Sequence, residues 1–373
     1  MVMLVETPPG TALERSAPHS SRATSIRWPA RCHDASVSSP LLDRARRGDE
    51  QAFRELTRPY LRELRLHCYR MLGSLVDSDD LLQETLVAAW RGLDGFAGRS
   101  SFRAWLYRIA TNRCLNAIRD GKRRPPAEPV PPFSPPDPSR RGELTWLQPY
   151  PDAWLDQLSD AALQPAAKYD AHTSVELAFI TALQRIPPRQ TAAVVLADVL
   201  GFSAAEVASM LESTPTAVKG LLQRARAALA QHHTTDRHAP DGGPGSAVER
   251  DLASRFAAAF TAGDINRMVD LLTDDVWLAM PPATHEYVGR EAVAAFVRTS
   301  TAWRGRRCLS LVPTRANGQP AFACSLEGPN ETIADVAGIL VLTMSRDRIS
   351  GITRFLDIDL QREFEKARTT TSP

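Results

Sequence analysis

Residues 203–229 read SAAEVASMLESTPTAVKGLLQRARAAL. Ser203 and Glu206 stand at capping-box spacing: the hydroxyl accepts from the amide three residues on, and the carboxylate reaches back to the amide of Ser203. A short helix therefore starts there, carries Val207, Ala208 and Leu211 on one face and stops at Glu212-Ser213. Thr214 followed by Pro215 begins a second helix, because the first helical position needs no amide hydrogen bond. In that helix Val218, Leu221, Leu222, Ala225 and Leu229 share one face, whereas Thr216, Lys219, Gly220 and Gln223 share the opposite one. Arg224 and Arg226 flank the polar stripe, where a helix lying in a major groove would offer cations to phosphates. Periodicity alone fits equally an ordinary helical hairpin with a solvated basic face.

A second stretch narrows the choice. From Phe96 to Arg124 aromatic and cationic residues interleave, as in Phe96, Arg99, Phe102, Arg103, Trp105, Tyr107 and Arg108, and Asp120 is the one acid between Arg99 and Arg124. Cations track a phosphate backbone, and aromatic faces stack on unpaired bases, so the pattern suits strand-separated DNA. Phe102, Trp105, Leu106 and Ile109 also form an amphipathic core stripe, which leaves Phe96, at the end of the preceding loop, as the aromatic expected near a base.

The net charge of +2 hides this local imbalance. A chain of 373 residues exceeds what one core usually serves, and its 43% hydrophobic and 24% charged content is ordinary for a soluble globular protein. No apolar run approaches the length a membrane span needs. Cys32, Cys68, Cys114, Cys308 and Cys324 show neither C-x-x-C pairing nor zinc-ligand spacing, so no metal site or disulfide framework is indicated, and a reducing cytoplasm fits. The expected divisions are a disordered tail at 1–38, a helical unit at 39–124, a Pro-rich linker at 125–173, a helical unit at 174–232, a short linker at 233–246, an α+β unit at 247–366 and a tail at 367–373. Trp146, Leu147, Trp154 and Leu155 are apolar spots in the long linker and suggest docking points. In the last third, helices are expected at 248–262, 265–272 and 290–299, and strands at 308–312, 321–326, 336–344 and 349–356. Asn317-Gly318 is the expected hairpin turn between the first two strands.

The segment HCYRMLGSLVDSDDLLQETLVAAWRGLDGFAGRSSFRAWLYRIATNRCLNAIRD, followed by RIPPRQTAAVVLADVLGFSAAEVASMLESTPTAVKGLLQRARAAL, resembles regions 2 and 4 of extracytoplasmic-function (group 4) sigma factors. The resemblance implies a multi-domain chain: two all-α domains, the second a helix-turn-helix, then an α+β domain. It implies core RNA polymerase, through its beta-prime clamp helices and beta flap, and promoter DNA as partners, with no catalytic residue, metal or cofactor. By position, Asp80, Gln83 and Glu84 match the polymerase-binding surface. Phe96 and Asn112 match residues around the loop that captures a base flipped from the minus-10 element, with Arg113 and Arg119 on the same basic helix. Thr216, Lys219, Gly220, Gln223, Arg224 and Arg226 fall on the helix that meets the minus-35 element. Gly220 and Leu221 stand where a small hydroxyl and a basic residue are frequent. Losing one bidentate base contact, worth about 1–3 kcal/mol, shifts recognition toward phosphates and DNA shape.

The last third resembles SnoaL-like, cone-shaped α+β domains attached to one subset of these factors, with ANGQPA (316–321) and the linker WLQPYPD (146–152) as similar motifs. The resemblance implies that this domain modulates activity through contacts with the sigma regions. Trp277, His285, Arg354 and Asp357, with Met280, are the candidate pocket residues for a small-molecule ligand. A ligand-responsive helix-turn-helix regulator and a cone-fold enzyme with a DNA-binding appendage are the competing readings.

Overall fold

The computed structural model describes residues 40–121, 131–141, 147–159, 174–232, 245–328, 335–357 and 359–369. The tail at 1–38, Cys32 and Trp146 lie outside the described residues.

The first unit holds α1 (Pro40–Arg46), α2 (Glu50–Thr57), α3 (Leu61–Leu72), α4 (Leu75–Gly92) and α5 (Phe102–Arg119). Ser74 and Ser101 cap α4 and α5, each accepting from the amide three residues on. Gly73, at φ 73°, ends α3 in the left-handed conformation that a Cβ would disfavour. The linker forms a two-residue strand, β1 (Arg140–Arg141), and a helix, α6 (Asp152–Ser159). Next come α7 (Leu177–Gln184), α8 (Pro188–Val194), which runs on through a π-turn, α9 (Ala204–Met210) and α10 (Pro215–His232).

The capping box at Ser203 forms with both of its bonds. Thr214 Oγ1 accepts from the Ala217 amide at 3.2 Å, so both halves of the helix-turn-helix begin where side-chain chemistry says they should.

The last unit starts with α11 (Ala247–Ala262) and α12 (Ile265–Asp270). They are followed by β2 (Leu272–Ala279), β3 (His285–Val288), α13 (Arg290–Arg304), β4 (Cys308–Ala316), β5 (Gln319–Glu327), β6 (Asp335–Ser345), β7 (Arg348–Phe355) and α14 (Asp359–Thr369). The sheet order is β1-β3-β2-β7-β6-β5-β4, antiparallel except for β2 beside β7. Asn317 and Gly318 adopt φ of 56° and 74°, the two positive values that a tight hairpin turn between β4 and β5 requires.

Three expectations need correcting. Strands β2 and β3 were not foreseen: no element was expected between 272 and 290, and β2 begins at Leu272, the last residue of the helix expected at 265–272, which ends at Asp270. The carboxy-terminal tail is not free from 367 onward: α14 continues to Thr369 and Ala367 is 1% exposed. The linker docks at Leu147, Trp154 and Leu155 as expected, but it also contributes a strand and a helix, which were not expected. Arg140 and Arg141 pair with Glu286 and His285 on the open edge of β3, and Leu147, Tyr150 and Leu155 are buried.

Two cores result. One fills the cone between α11–α13 and the inner sheet face, with Phe256, Leu278, Met280, Leu340 and Ile352. The other is continuous through both helical units, the linker and the opposite sheet face, from Leu64, Phe102 and Tyr150 through Val195 and Val218 to Val341, Phe355 and Phe364. The helical units expected to be separate therefore share one apolar interior, and each large side chain contributes roughly 1.5–3 kcal/mol to it.

Trp277 turns away from the cone, and its ring covers Gly351. A Cβ at Gly351 would lie 2.5 Å from the indole. Gly351→Ala is expected to displace the ring and lower the urea-unfolding free energy by about 2 kcal/mol. Trp277→Leu should relieve the clash, so the double variant should recover more than half of that loss.

Candidate nucleic-acid and polymerase interface

Helix α4 buries Leu81, Thr85 and Ala89 against its neighbours, which leaves Asp80, Gln83 and Glu84 exposed on the other side. Val76 and Val87, 50% and 48% exposed, share that side at helical spacing. The arrangement is an amide-and-acid stripe flanked by bare apolar side chains. Such a surface suits a basic protein partner that also covers hydrophobic area. Glu84 lies 3.8 Å from Arg113, so the expected polymerase-facing and DNA-facing residues meet at one ion pair between α4 and α5.

On α5, Arg113 and Arg119 are exposed and Asn112 is half-buried. In this arrangement Phe96, the aromatic expected near a base, is not exposed. It is 5% exposed, packed on Phe102 and Trp105 with ring centroids 5.6 and 5.1 Å away, and its carbonyl accepts from Arg46. The loop aromatic was drawn into the core because a phenyl ring beside two others gains more from burial than from water.

The α3–α5 packing encloses His67, which shares a 2.9 Å hydrogen bond with Thr111 Oγ1 and stacks edge-on against Tyr107. Burial first, and then Arg70 and Arg103, drive its pKa down to about 3. The folded value lies below the unfolded one, so the stability is full above about pH 6.5 and is lost as the pH falls toward 3, by about 1.4 kcal/mol per pH unit. Urea titrations between pH 7 and pH 5 should show this slope. His67→Gln should flatten it.

On α10, Thr216, Lys219, Gln223 and Arg224 are exposed together, Gly220 is half-exposed between them, and Val218, Leu222, Ala225 and Leu229 are buried. Arg226 is exposed but engaged: its guanidinium makes a two-pronged pair with Asp198, at 2.9 and 2.6 Å, which braces α10 on the π-turn. The exposed polar stripe thus comprises the other five positions, with Arg226 held to its own domain.

Regions that would read two separate DNA elements are in direct contact. Phe202, just before α9, packs 5.3 Å from Tyr107 of α5, and the Arg103 guanidinium sits 4.6 Å over the Phe202 ring. Arg70 is 1% exposed and donates to Ser174 Oγ at 2.6 Å; burial draws its pKa down to about 10.

Sequence reasoning marked the motifs 146–152 and 316–321 and the docking point Trp154, but not the bonds by which Asn317 and Gln148 hold this arrangement. Asn317 is fully buried at the tip of the β4–β5 hairpin. Its Nδ2 donates to Tyr69 Oη at 2.8 Å and to the Val175 carbonyl at 2.5 Å, and its Oδ1 accepts from the Tyr150 amide at 2.7 Å. One side chain therefore ties α3, the linker and the segment before α7 together. Gln148 Oε1 accepts from the Leu75 amide at 2.7 Å, at the start of α4, and its Nε2 donates to Asp357 at 3.2 Å. Trp154 lies under the Arg65 guanidinium at 3.5 Å. From residue chemistry Asn317-Gly318 reads as a local turn; the resemblance marked the motif around it, but not which groups it would bond.

The four expected pocket residues do not converge. Trp277 is on the opposite sheet face, His285 pairs at the β3 edge with Arg141, and Asp357 faces Gln148 of the linker. Arg354 alone reaches the cone cavity, as Met280 does. Among the described residues there is no cluster of His, Cys, Asp and Glu fit to hold a metal, and no helix is long and apolar enough to cross a membrane.

Comparison with known proteins finds three family matches along the chain. Residues 56–124 match Sigma-70 region 2, residues 176–229 match Sigma-70 region 4, and residues 253–350 match the SnoaL-like domain. The chain is 41% identical over 326 residues to the ECF RNA polymerase sigma factor SigG of Mycobacterium tuberculosis, covering 86% of this chain and 84% of that one. SigJ of the same organism is 27% identical over 296 residues, covering 76% and 85%. The crystal structure of SigJ superposes with a TM-score of 0.53 at 22% identity, over 86% of this chain and 98% of that one, a likeness of fold. With two sigma domains in order and a relative this similar over most of both lengths, the chain belongs to the ECF RNA polymerase sigma factor family.

Proposed function

We propose that this sigma factor directs core RNA polymerase to promoters and that its own SnoaL-like domain holds it in a closed resting arrangement. The exposed stripe of Asp80, Gln83 and Glu84 is the surface offered to the beta-prime clamp helices, and region 4 is offered to the beta flap. Asn112, Arg113 and Arg119 serve the minus-10 element, and Thr216, Lys219, Gly220, Gln223 and Arg224 the minus-35 element. A protein acting with polymerase works in the cytoplasm.

The observation that carries the resting arrangement is Asn317, which bonds at once to Tyr69 of region 2, Tyr150 of the linker and Val175 at the start of region 4. The two promoter elements lie about 25 base pairs apart, roughly 80 Å along B-form DNA. Domains whose side chains touch do not reach both, so promoter engagement requires the closed form to open.

In vitro transcription with core polymerase tests the reading: start sites should map downstream of one shared pair of elements. Absence of core-polymerase binding, or tight duplex operator binding without polymerase, would overturn it. Lys219→Ala is expected to weaken promoter binding nearly evenly across sequences and to reduce the slope of log affinity against log salt by about one. A sequence-selective loss would assign Lys219 to base readout instead.

A further inference from the structure

The cone encloses a cavity of about 660 Å³, within the roughly 300–1,000 Å³ range of small-molecule sites. A larger cleft, of about 840 Å³, lies at the seam between α6, α11 and β4, beside Asp152, Glu249 and Arg315. The cone cavity has apolar walls from Leu278, Met280, Leu340 and Ile352. Among the described residues its charged lining consists of Arg304, Arg307 and Arg354 against one acid, Asp335. Arg354 donates one Nη to the Ala337 carbonyl at 2.9 Å, while its buried Nε has no acceptor among the described residues. A guanidinium N–H in apolar surroundings without an acceptor is a costly arrangement that a carboxylate relieves.

The remaining wall comes from the linker. Pro131, Pro132 and Phe133 line the cavity, and the Phe133 ring packs 5.6 Å from both Phe296 and Trp303. The same segment is fixed to the cone by the Tyr287 hydroxyl donating to the Pro136 carbonyl at 2.9 Å, by the Val288 amide donating to Ser139 Oγ at 3.0 Å and by the β1–β3 pairing.

We propose that the cone cavity binds an amphipathic carboxylate, with Arg354 meeting the acid group and the apolar body taking the place of Phe133, so that ligand and linker segment 131–141 compete for one site. The competition makes the cavity the input to the closed arrangement and in that respect rests on the regulatory reading above.

The test uses the full-length chain with decanoate as probe and decanol as its uncharged counterpart, measured by titration calorimetry. Decanoate should bind at one site. R354Q should weaken it about tenfold or more while leaving decanol within about twofold, and F133A should strengthen both. Amide exchange at Val288 should quicken on binding, since that amide is held by Ser139. No decanoate binding to either wild type or F133A would overturn the site. Equal binding of decanoate and decanol would overturn the acid recognition, and binding with unchanged exchange at Val288 would overturn the competition. Transcription by an Asn317 variant reads the regulatory role without ligand, so the two ideas fail separately.

Discussion

Replacing Asn317 with glycine is expected to shift the chain from its closed to an open arrangement by about 3 kcal/mol, roughly a hundredfold in population. Glycine keeps the left-handed backbone that the turn needs, so the substitution removes the amide and little else. Three buried groups then lose their partner: the Tyr69 hydroxyl as acceptor, the Val175 carbonyl and the Tyr150 amide. Each is worth about 1 kcal/mol, and none finds water while the interface stays shut. Donor and acceptor dyes on regions 2 and 4 should move apart, and transcript yield with core polymerase should rise. Unchanged dye distance together with unchanged yield would rule out the hairpin as the latch. A point change is a sharper probe than removing residues 246–373, because truncation would also bare the side chains that pack against Ile339, Val341, Phe355 and Phe364 of the shared core.

What could be read in advance follows from the range of the interactions. The helix-turn-helix was legible because its signals are local: the Ser203–Glu206 box, Pro215 at a helix start, and the alternation of Val218 and Leu222 with Lys219 and Gln223. Exposure of Asp80, Gln83 and Glu84 follows from the same periodicity. The Asn317-Gly318 turn was readable as a turn for the same reason.

What the sequence hid is long-range. Phe96 was expected to face a base because it ends a loop, yet Phe102 and Trp105 draw it inward. Trp277 and Asp357 were assigned to a pocket by residue type, but strand alternation puts Trp277 over Gly351, and Asp357 meets a linker glutamine 209 residues away in sequence. The Pro-rich linker carries no period, so nothing in it announced that Arg140 and Arg141 would extend a sheet edge. Edge strands accept any extended segment with free backbone groups, and composition does not specify which one comes.

Loss of Arg315 is the other large effect expected. Arg315, on β4, meets Asp152 at 3.2 Å and also pairs with Glu249, and it donates to the Gly318 carbonyl at 2.7 Å. The two carboxylates are 4% and 3% exposed as side chains, one at the start of α6 in the linker and the other in the first turn of α11. Arg315→Met would take the guanidinium away from both buried acids, at a cost of about 3–5 kcal/mol. Adding Asp152→Asn and Glu249→Gln should recover most of that loss, because the neutral amides remain acceptors for the Gly318 and Gly245 amides now held by the carboxylates. Urea unfolding of the single, double and triple variants gives the coupling directly. A loss below about 1 kcal/mol in Arg315→Met would mean that water reaches the acids and that the triad behaves as a surface pair. Full recovery in the triple variant would locate the triad's contribution in cancelling buried charge, leaving the hydrogen bonds of Asn317 to set which domains meet.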